Sequence, residues 1–177
     1  THPLREAEFN VFDVMHHGTH EKQLSNLFGW LLDADGSHRL GDAFQRMFID
    51  EVNRSLPSSP AVPYGPYSVL QEANTSLPGE SMDIADIVLE SQDTVLVVEN
   101  YYVADGHGHS FQGYQTFGAR HGKRSVVVML CGSRGSADLT DGWDCSAVVT
   151  HPSLVERLVR HVTADESYRQ MHPDQHA

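Results

Sequence analysis

DTVLVVENYYVADGHGHS, residues 93–110, sets an aliphatic run, Val95 to Val98, directly before Glu99-Asn100-Tyr101 and follows it with His107 and His109. A short apolar run rich in β-branched residues and bounded by polar positions reads as a buried strand. A carboxylate at the end of such a strand is costly unless its charge is compensated. The run before it, MDIADIVLE at 82–90, is a second strand, and a hairpin turning around Gln92-Asp93 sets Asp86 directly across from Glu99. Opposed side chains share a face with Cβ atoms about 5 Å apart, and like charges there destabilise the pair. Two such carboxylates ask for a cation. Oxygen ligands in a partly open shell suit Mg2+ or Mn2+. Tyr101 has the parity of Glu99 and so points the same way.

A third acid comes from an earlier helix. From Glu21 onward, Leu24, Leu27, Phe28, Leu31 and Leu32 repeat at the three-and-four spacing of a core-facing stripe. Glu21 falls on that stripe, where a carboxylate needs a partner. If the helix packs on the sheet, Glu21 reaches the same metal as Asp86 and Glu99.

The remaining chain arranges itself around these strands, although the first 18 residues are mixed and carry no assignable pattern. DADGSHRLG reads as a loop, and a second helix carries Phe44, Met47, Phe48 and Val52 on one side. LPSSPAVPYGP is an irregular connection, since its four prolines fit neither a helix interior nor a central strand. YSVLQEANTSL adds a strand ahead of the two acid-bearing ones, giving a three-stranded meander. A helix is expected over about residues 110–119, and RSVVVMLCG is a fourth strand, apolar enough for burial on both faces. Ser153 and Glu156 have the form of a capping box opening a last amphipathic helix. The order predicts an α/β fold in one domain spanning 1–177, with a mixed central sheet flanked by helices.

Composition narrows the function. The 177 residues carry a formal charge of −12, which opposes broad, charge-driven wrapping of nucleic acid. Any phosphate contact must be local, and the one basic cluster is Arg120, Lys123 and Arg124. No apolar run approaches the roughly 20 residues of a membrane span. No basic-then-apolar leader with a small-residue cleavage site opens the chain, so the expected location is the cytoplasm. Cys131 and Cys145 are expected to be reduced, as fits that compartment. The oligomeric state stays open between monomer and homodimer.

The arrangement resembles the PD-(D/E)XK nuclease superfamily, whose restriction-endonuclease-like core runs αβββαβ. It is similar in particular to a prokaryotic group whose opening helix ends near W-L-L-D-P-x-G-x-H-G-L-G and whose acids lie in I-D-I-L-I and I-E-N-K. This chain has WLLDADGSHRLGDAF at 30–44, ADIVL with Asp86, and VENYY with Glu99 and Asn100. The resemblance covers roughly residues 20–131. It implies a Mg2+- or Mn2+-dependent deoxyribonuclease acting in DNA processing or defence, with DNA as partner and Glu21, Asp86 and Glu99 as metal ligands.

Tyr101 stands where that pattern has its catalytic lysine. Phosphodiester hydrolysis needs an activated water and positive charge near the developing phosphorane. A lysine serves both, whereas a tyrosine brings a hydrogen-bond donor without charge. The chain has only two lysines, Lys22 and Lys123. Lys22 points away from the face of Glu21, so Lys123, beside Arg120 and Arg124, is the expected source of charge. Gln112 is close to the family's helix glutamine, although a strict count puts Ser110 there. The rival expectation is a degenerate module that keeps the fold to bind nucleic acid or a protein without cutting.

Twelve histidines invite a zinc reading, with His16, His17 and His20 clustered and His107 and His109 able to join Glu99. No His-Glu-x-x-His or paired Cys-x-x-Cys pattern supports it, and His107 and His109 are assigned instead to phosphate contact or general-base duty. His38 is expected to fix its loop by a hydrogen bond. The calcium-loop start DADG lacks its closing glutamate, no Gly-x-Ser-x-Gly elbow is present, and Gly106-x-Gly108 lacks the third glycine of a dinucleotide loop.

Overall fold

The computed structural model describes residues 20–101, 108–166 and 170. Helix α1 (His20–Leu32) and helix α2 (Ala43–Ser55) precede a meander of β1 (Ser68–Asn74), β2 (Ile84–Glu90) and β3 (Thr94–Tyr101). Helix α3 (Phe111–Gly118), β4 (Arg124–Cys131), β5 (Ala147–Thr150) and helix α4 (His151–Ala164) follow. The five strands form one sheet in the order β1-β2-β3-β4-β5. The first three are antiparallel, and β3-β4 and β4-β5 are parallel. It is a mixed five-stranded sheet flanked by four helices among the described residues, an α/β restriction-endonuclease-like fold.

Alternation along β3 divides the core. Leu96 and Val98 join α1, α2 and α4 through Leu24, Phe28, Phe44, Phe48 and Leu154. Val95, Val97 and Tyr101 face the other way, against Tyr114 of α3 and Trp143. Strand β3 is buried along its whole length because helices cover both its faces. Glu99 therefore belongs to the α3 side and Asn100 to the α1 side.

Two elements differ from expectation. Strand β5 is too short for its AVVT to stand out from its surroundings, yet parallel pairing with β4 buries Ala147, Val148 and Val149. The last helix starts at His151, not Ser153, because the Thr150 side chain caps the Ser153 N–H and Pro152 occupies the first turn, where no N–H is needed.

The 30–44 motif proves to be a clamp between α1 and α2. The His38 Nε2–H donates to the Asp33 carbonyl at 2.9 Å while Nδ1 accepts the Leu40 N–H, so the ring closes its loop as expected. Gln45, buried on α2, donates to the carbonyls of Leu32 and Tyr67 and locks the end of α1 to the approach of β1. No described helix is long and apolar enough to cross a membrane.

Candidate metal centre

The hairpin pairs as expected up to Ile87 opposite Val98, and there the regular ladder stops. Asp86 and Glu99 are therefore not a direct cross-strand pair, which corrects the expected register at its last step. On the other side of β2, pairing with β1 also skips Glu72 opposite Asp86, and Glu72 has a left-handed φ of 53°. The facing of β2 slips at the same point, since Ala85 and Val88 lie in one core cluster although three residues apart. This kink releases Asp86 from ordinary pairing. Its Oδ2 instead accepts the backbone N–H of Asn100 at 2.8 Å, which fixes the carboxylate beside the end of β3.

Glu99 is 1% exposed. Its Oε2 accepts from the Tyr114 hydroxyl at 2.7 Å, with the Ile84 carbonyl as that hydroxyl's alternative partner at 3.2 Å. Burial pushes the Glu99 carboxyl up to about 9, the Asp86 charge adds to the rise, and the Tyr114 hydrogen bond opposes it. Burial likewise lifts Asp86 to about 6 against the pull of the Asn100 N–H. Tyr114 is itself raised, first by burial and then by the charge of Glu99, so it is a permanent donor.

Glu21 completes the cluster from the first turn of α1. One carboxylate oxygen from each of Glu21, Asp86 and Glu99 lies within 4.8 Å of the others. Glu21 is exposed and not buried as its position on the stripe suggests, because the sheet ends beneath the first turn of the helix and the site opens there. Asn100 locates that turn by donating from Nδ2 to the Glu21 carbonyl at 3.0 Å and to Ser25 Oγ at 2.9 Å. Its Oδ1 accepts from His151 Nε2 at 2.7 Å. Burial holds the His151 imidazole down to about 4, so it is a neutral donor, stacked on Phe28.

The donor set fits a divalent cation. Three carboxylates converge, two of them poorly solvated, and among the described residues no lysine or arginine pairs with any of the three. All three groups offer hard oxygen ligands, and the exposed side of Glu21 leaves room for water or substrate.

Other expected site residues fall elsewhere. Lys123 does not reach the carboxylates: its Nζ contacts Glu90 Oε1 and the Ser91 carbonyl, each at 2.7 Å. That is the β2-β3 turn, about 17 Å of strand from Glu99. Arg120 pairs with Glu90 and lies over Phe117, and Arg124 donates to the carbonyls of Pro60 and Ala61, so the whole basic cluster braces the far end of the sheet. Gln112 is exposed and donates to Thr116 on its own helix. Tyr101 lies on the face of Glu99 as expected, but it is 7% exposed and packed with Ala73, Ala85 and Tyr114. His16, His17, His107 and the side chain of His20 lie outside the described residues.

His109 does reach the site. Its Nδ1 bonds Asp83 Oδ1, and its Nε2 stands 3.4 Å from Glu99 Oε1. The Ser110 N–H donates to the other Asp83 oxygen, and the Trp143 indole donates to the His109 carbonyl. Asp83 and Tyr114 escape sequence reading because each acts through a pairing 26 or 15 residues distant that no local pattern announces.

Comparison with known proteins is consistent with this geometry. A family model described as the PD-(D/E)XK nuclease superfamily matches residues 9–144, more than half of the chain. No curated protein and no solved structure gives a significant match.

Proposed function

From the premise that the chain belongs to the PD-(D/E)XK nuclease superfamily, we propose that it is a deoxyribonuclease dependent on Mg2+ or Mn2+. The observation that carries this reading is the convergence of Glu21, Asp86 and Glu99 within 4.8 Å, at the kink where β2 leaves β3. When bound, the cation supplies Lewis-acid stabilisation of the phosphate and an acidified water. Glu99 and Asp86 hold it from the sheet and Glu21 from the helix. Tyr114 keeps Glu99 in one rotamer, and Asn100 keeps the first turn of α1 over the hairpin.

Hydrolysis joins a water oxygen to phosphorus and breaks one phosphorus–oxygen ester bond, leaving a phosphate monoester and a hydroxyl. DNA approaches from the exposed side of Glu21. A net charge of −12 and a basic cluster engaged at the opposite end limit the contact to the few phosphates nearest the cation.

A second reading has its own observation. Tyr101 occupies the position of the family's lysine and sits in an apolar cluster, while Lys123 is bound elsewhere. A chain lacking that charge can keep the fold and the cation to bind nucleic acid or a protein without cutting.

One experiment separates the two. Linear, circular and single-stranded DNA are incubated with the protein and Mg2+ or Mn2+, beside Glu99→Ala and Tyr101→Lys. A nuclease cuts as wild type and loses about 10²-fold or more as Glu99→Ala. A binding module is inert as wild type and gains cutting as Tyr101→Lys.

A further inference from the structure

Positive charge is scarce in this chain, and nearly all of it is engaged. Among the described residues, every lysine and arginine except Arg39 and Arg134 is paired with a carboxylate or, in the case of Arg124, bonded to two backbone carbonyls. Arg39 stands in the loop after α1, at the end of that helix opposite to Glu21. Arg134 stands in the loop after β4, at the end of the sheet where the three acids converge, and it is exposed.

Strand register bounds its distance from the site. Parallel pairing sets Met129 beside Glu99, and Cys131, the last residue of β4, beside Tyr101. Arg134 follows Met129 by five residues, at most about 17 Å of extended chain. The path is shorter than that, because the chain turns at once. The Cys131 thiol lies 3.3 Å from the Ser133 carbonyl, the Ser136 hydroxyl donates to that carbonyl at 2.8 Å, and Ser136 Oγ accepts the Ser133 N–H at 3.3 Å. Ala137 then packs against the cluster of Tyr101 and Tyr114, which brings the loop onto the face that carries Glu99. Burial raises the Cys131 thiol and the Arg134 charge opposes the rise, as fits a guanidinium close to the end of β4.

We propose that Arg134 anchors the DNA strand that lies across the cation, by holding a phosphate that flanks the one at the acids. This rests on the reading of the site as one that takes DNA. Phosphates follow one another at about 3.4 Å of helix axis along a strand, so the contact falls within about five nucleotides of the cation. A guanidinium grips a phosphate through two parallel N–H bonds and keeps its charge at any pH the fold tolerates. Arg134 reaches a phosphate without breaking an ion pair, whereas Arg120 and Lys123 must first leave Glu90. The role is substrate anchoring and not replacement of the lysine at Tyr101. It accounts for how a chain of net charge −12 holds a polyanion at this end of the sheet.

The test is a binding measurement and needs no turnover. Anisotropy of a short fluorescein-labelled DNA duplex is followed across a series of KCl concentrations in Ca2+, which takes oxygen ligands, with the full chain as wild type, Arg134→Ala, Arg134→Lys and Arg39→Ala. Arg134→Ala should bind about tenfold more weakly, and the slope of log K against log salt should shrink by about 0.9, the signature of one lost phosphate contact. Arg134→Lys should keep the slope, because the charge remains, and Arg39→Ala should match wild type. Calorimetric titration of Arg134→Ala with Mn2+ should give the wild-type affinity, which separates loss of the anchor from damage to the acid cluster. An Arg134→Ala variant with wild-type affinity and slope, an equal loss in Arg39→Ala, or a joint loss of Mn2+ and DNA overturns the assignment of Arg134 alone. Failure of wild type to bind the duplex at all overturns the reading of the site as one that takes DNA, and this assignment with it.

Discussion

Asn100 Nδ2 donates to the Glu21 carbonyl at 3.0 Å, joining the end of β3 to the first turn of α1 across 79 residues of sequence. The same side chain holds Ser25 and His151, and its backbone N–H holds Asp86. A single buried amide thus locates two of the three carboxylates, one through the chain and one through its side chain. The acid cluster is a property of this junction as much as of the acids.

Replacing Asn100 by Ala should therefore cost stability and metal together. Asn100 is fully buried, and the change removes its bonds to the Glu21 carbonyl and Ser25 Oγ, which still bond each other, and leaves His151 Nε2 without its acceptor. Three lost bonds and one orphaned donor cost about 2–4 kcal/mol in sum. Urea unfolding of the metal-free protein should show that loss, and calorimetric titration with Mn2+ should show weakened binding because the first turn of α1 is no longer pinned.

Metal-free protein should become less stable as pH rises. The folded carboxyls of Glu99 and Asp86 sit at about 9 and about 6, above their ordinary values of 4.5 and 3.8. The folded state then holds more protons than the unfolded state, so this contribution is fully present below about pH 4 and is lost as pH climbs through 6 and then 9. Thermal melts without metal should fall by on the order of 5 °C or more across that range. Saturating Mn2+ should flatten the curve, because the cation takes the place of the protons. Glu99→Gln should flatten it without metal. A melting temperature that rises between pH 5 and 9 in metal-free protein would contradict the buried, uncompensated Glu99.

The opposite limb belongs to His151. Its folded value of about 4 lies below the ordinary 6.5, so its contribution is present above pH 6.5 and is lost as pH falls toward 4. Protonation would add a charge where Phe28 covers the ring. His151→Leu should lower stability at pH 7 by about 1 kcal/mol through the lost bond to Asn100, yet flatten the decline below pH 6.5. Urea midpoints at pH 5 and 7 measure both effects.

Much of this fold is legible in the sequence because local pattern and tertiary demand agree. The Leu24, Phe28 and Leu31 spacing of α1 and the apolar run of β3 are each explained by the faces they bury. The three acids do come together within 4.8 Å, although Glu21 is exposed and not buried and Asp86 is not paired across from Glu99. What escapes is set at a distance. The kink at Glu72 and Asp86 depends on strand pairing, so assumed regularity gave the wrong last step of the register. In the sequence Lys123 stands beside Arg120 and Arg124 with nothing to mark its distance from the acids, whereas parallel pairing of β3 and β4 puts the start of β4 beside Thr94 and far from Glu99. Asp83 and Tyr114 have meaning only through partners brought in by folding.

His38 gives a check on the motif at 30–44. Both ring nitrogens are used within the loop, on Asp33 and Leu40, and neither is turned to the acids. His38→Ala should destabilise the protein by about 1–3 kcal/mol while leaving the stoichiometry of Mn2+ binding unchanged below the melting transition. A loss of metal sites in folded His38→Ala would mean that this loop takes part in the centre.

Tyr114 tests how far the metal centre depends on its neighbours. Its hydroxyl is the short, buried donor to Glu99, and its ring is wedged against Trp143. Tyr114→Phe preserves the ring and removes only the donor, so packing should survive and the cost should stay near 1–2 kcal/mol. Without that donor the ionised form of Glu99 is less favoured, and its carboxyl should rise further. The cation must then displace a more tightly held proton. Mn2+ affinity at pH 7 should fall by about tenfold, and the deficit should shrink as pH approaches 9, where less proton remains to displace. Titration calorimetry at pH 7 and pH 9 reads both numbers. A deficit independent of pH would place the role of Tyr114 in orienting Glu99 and not in setting its charge.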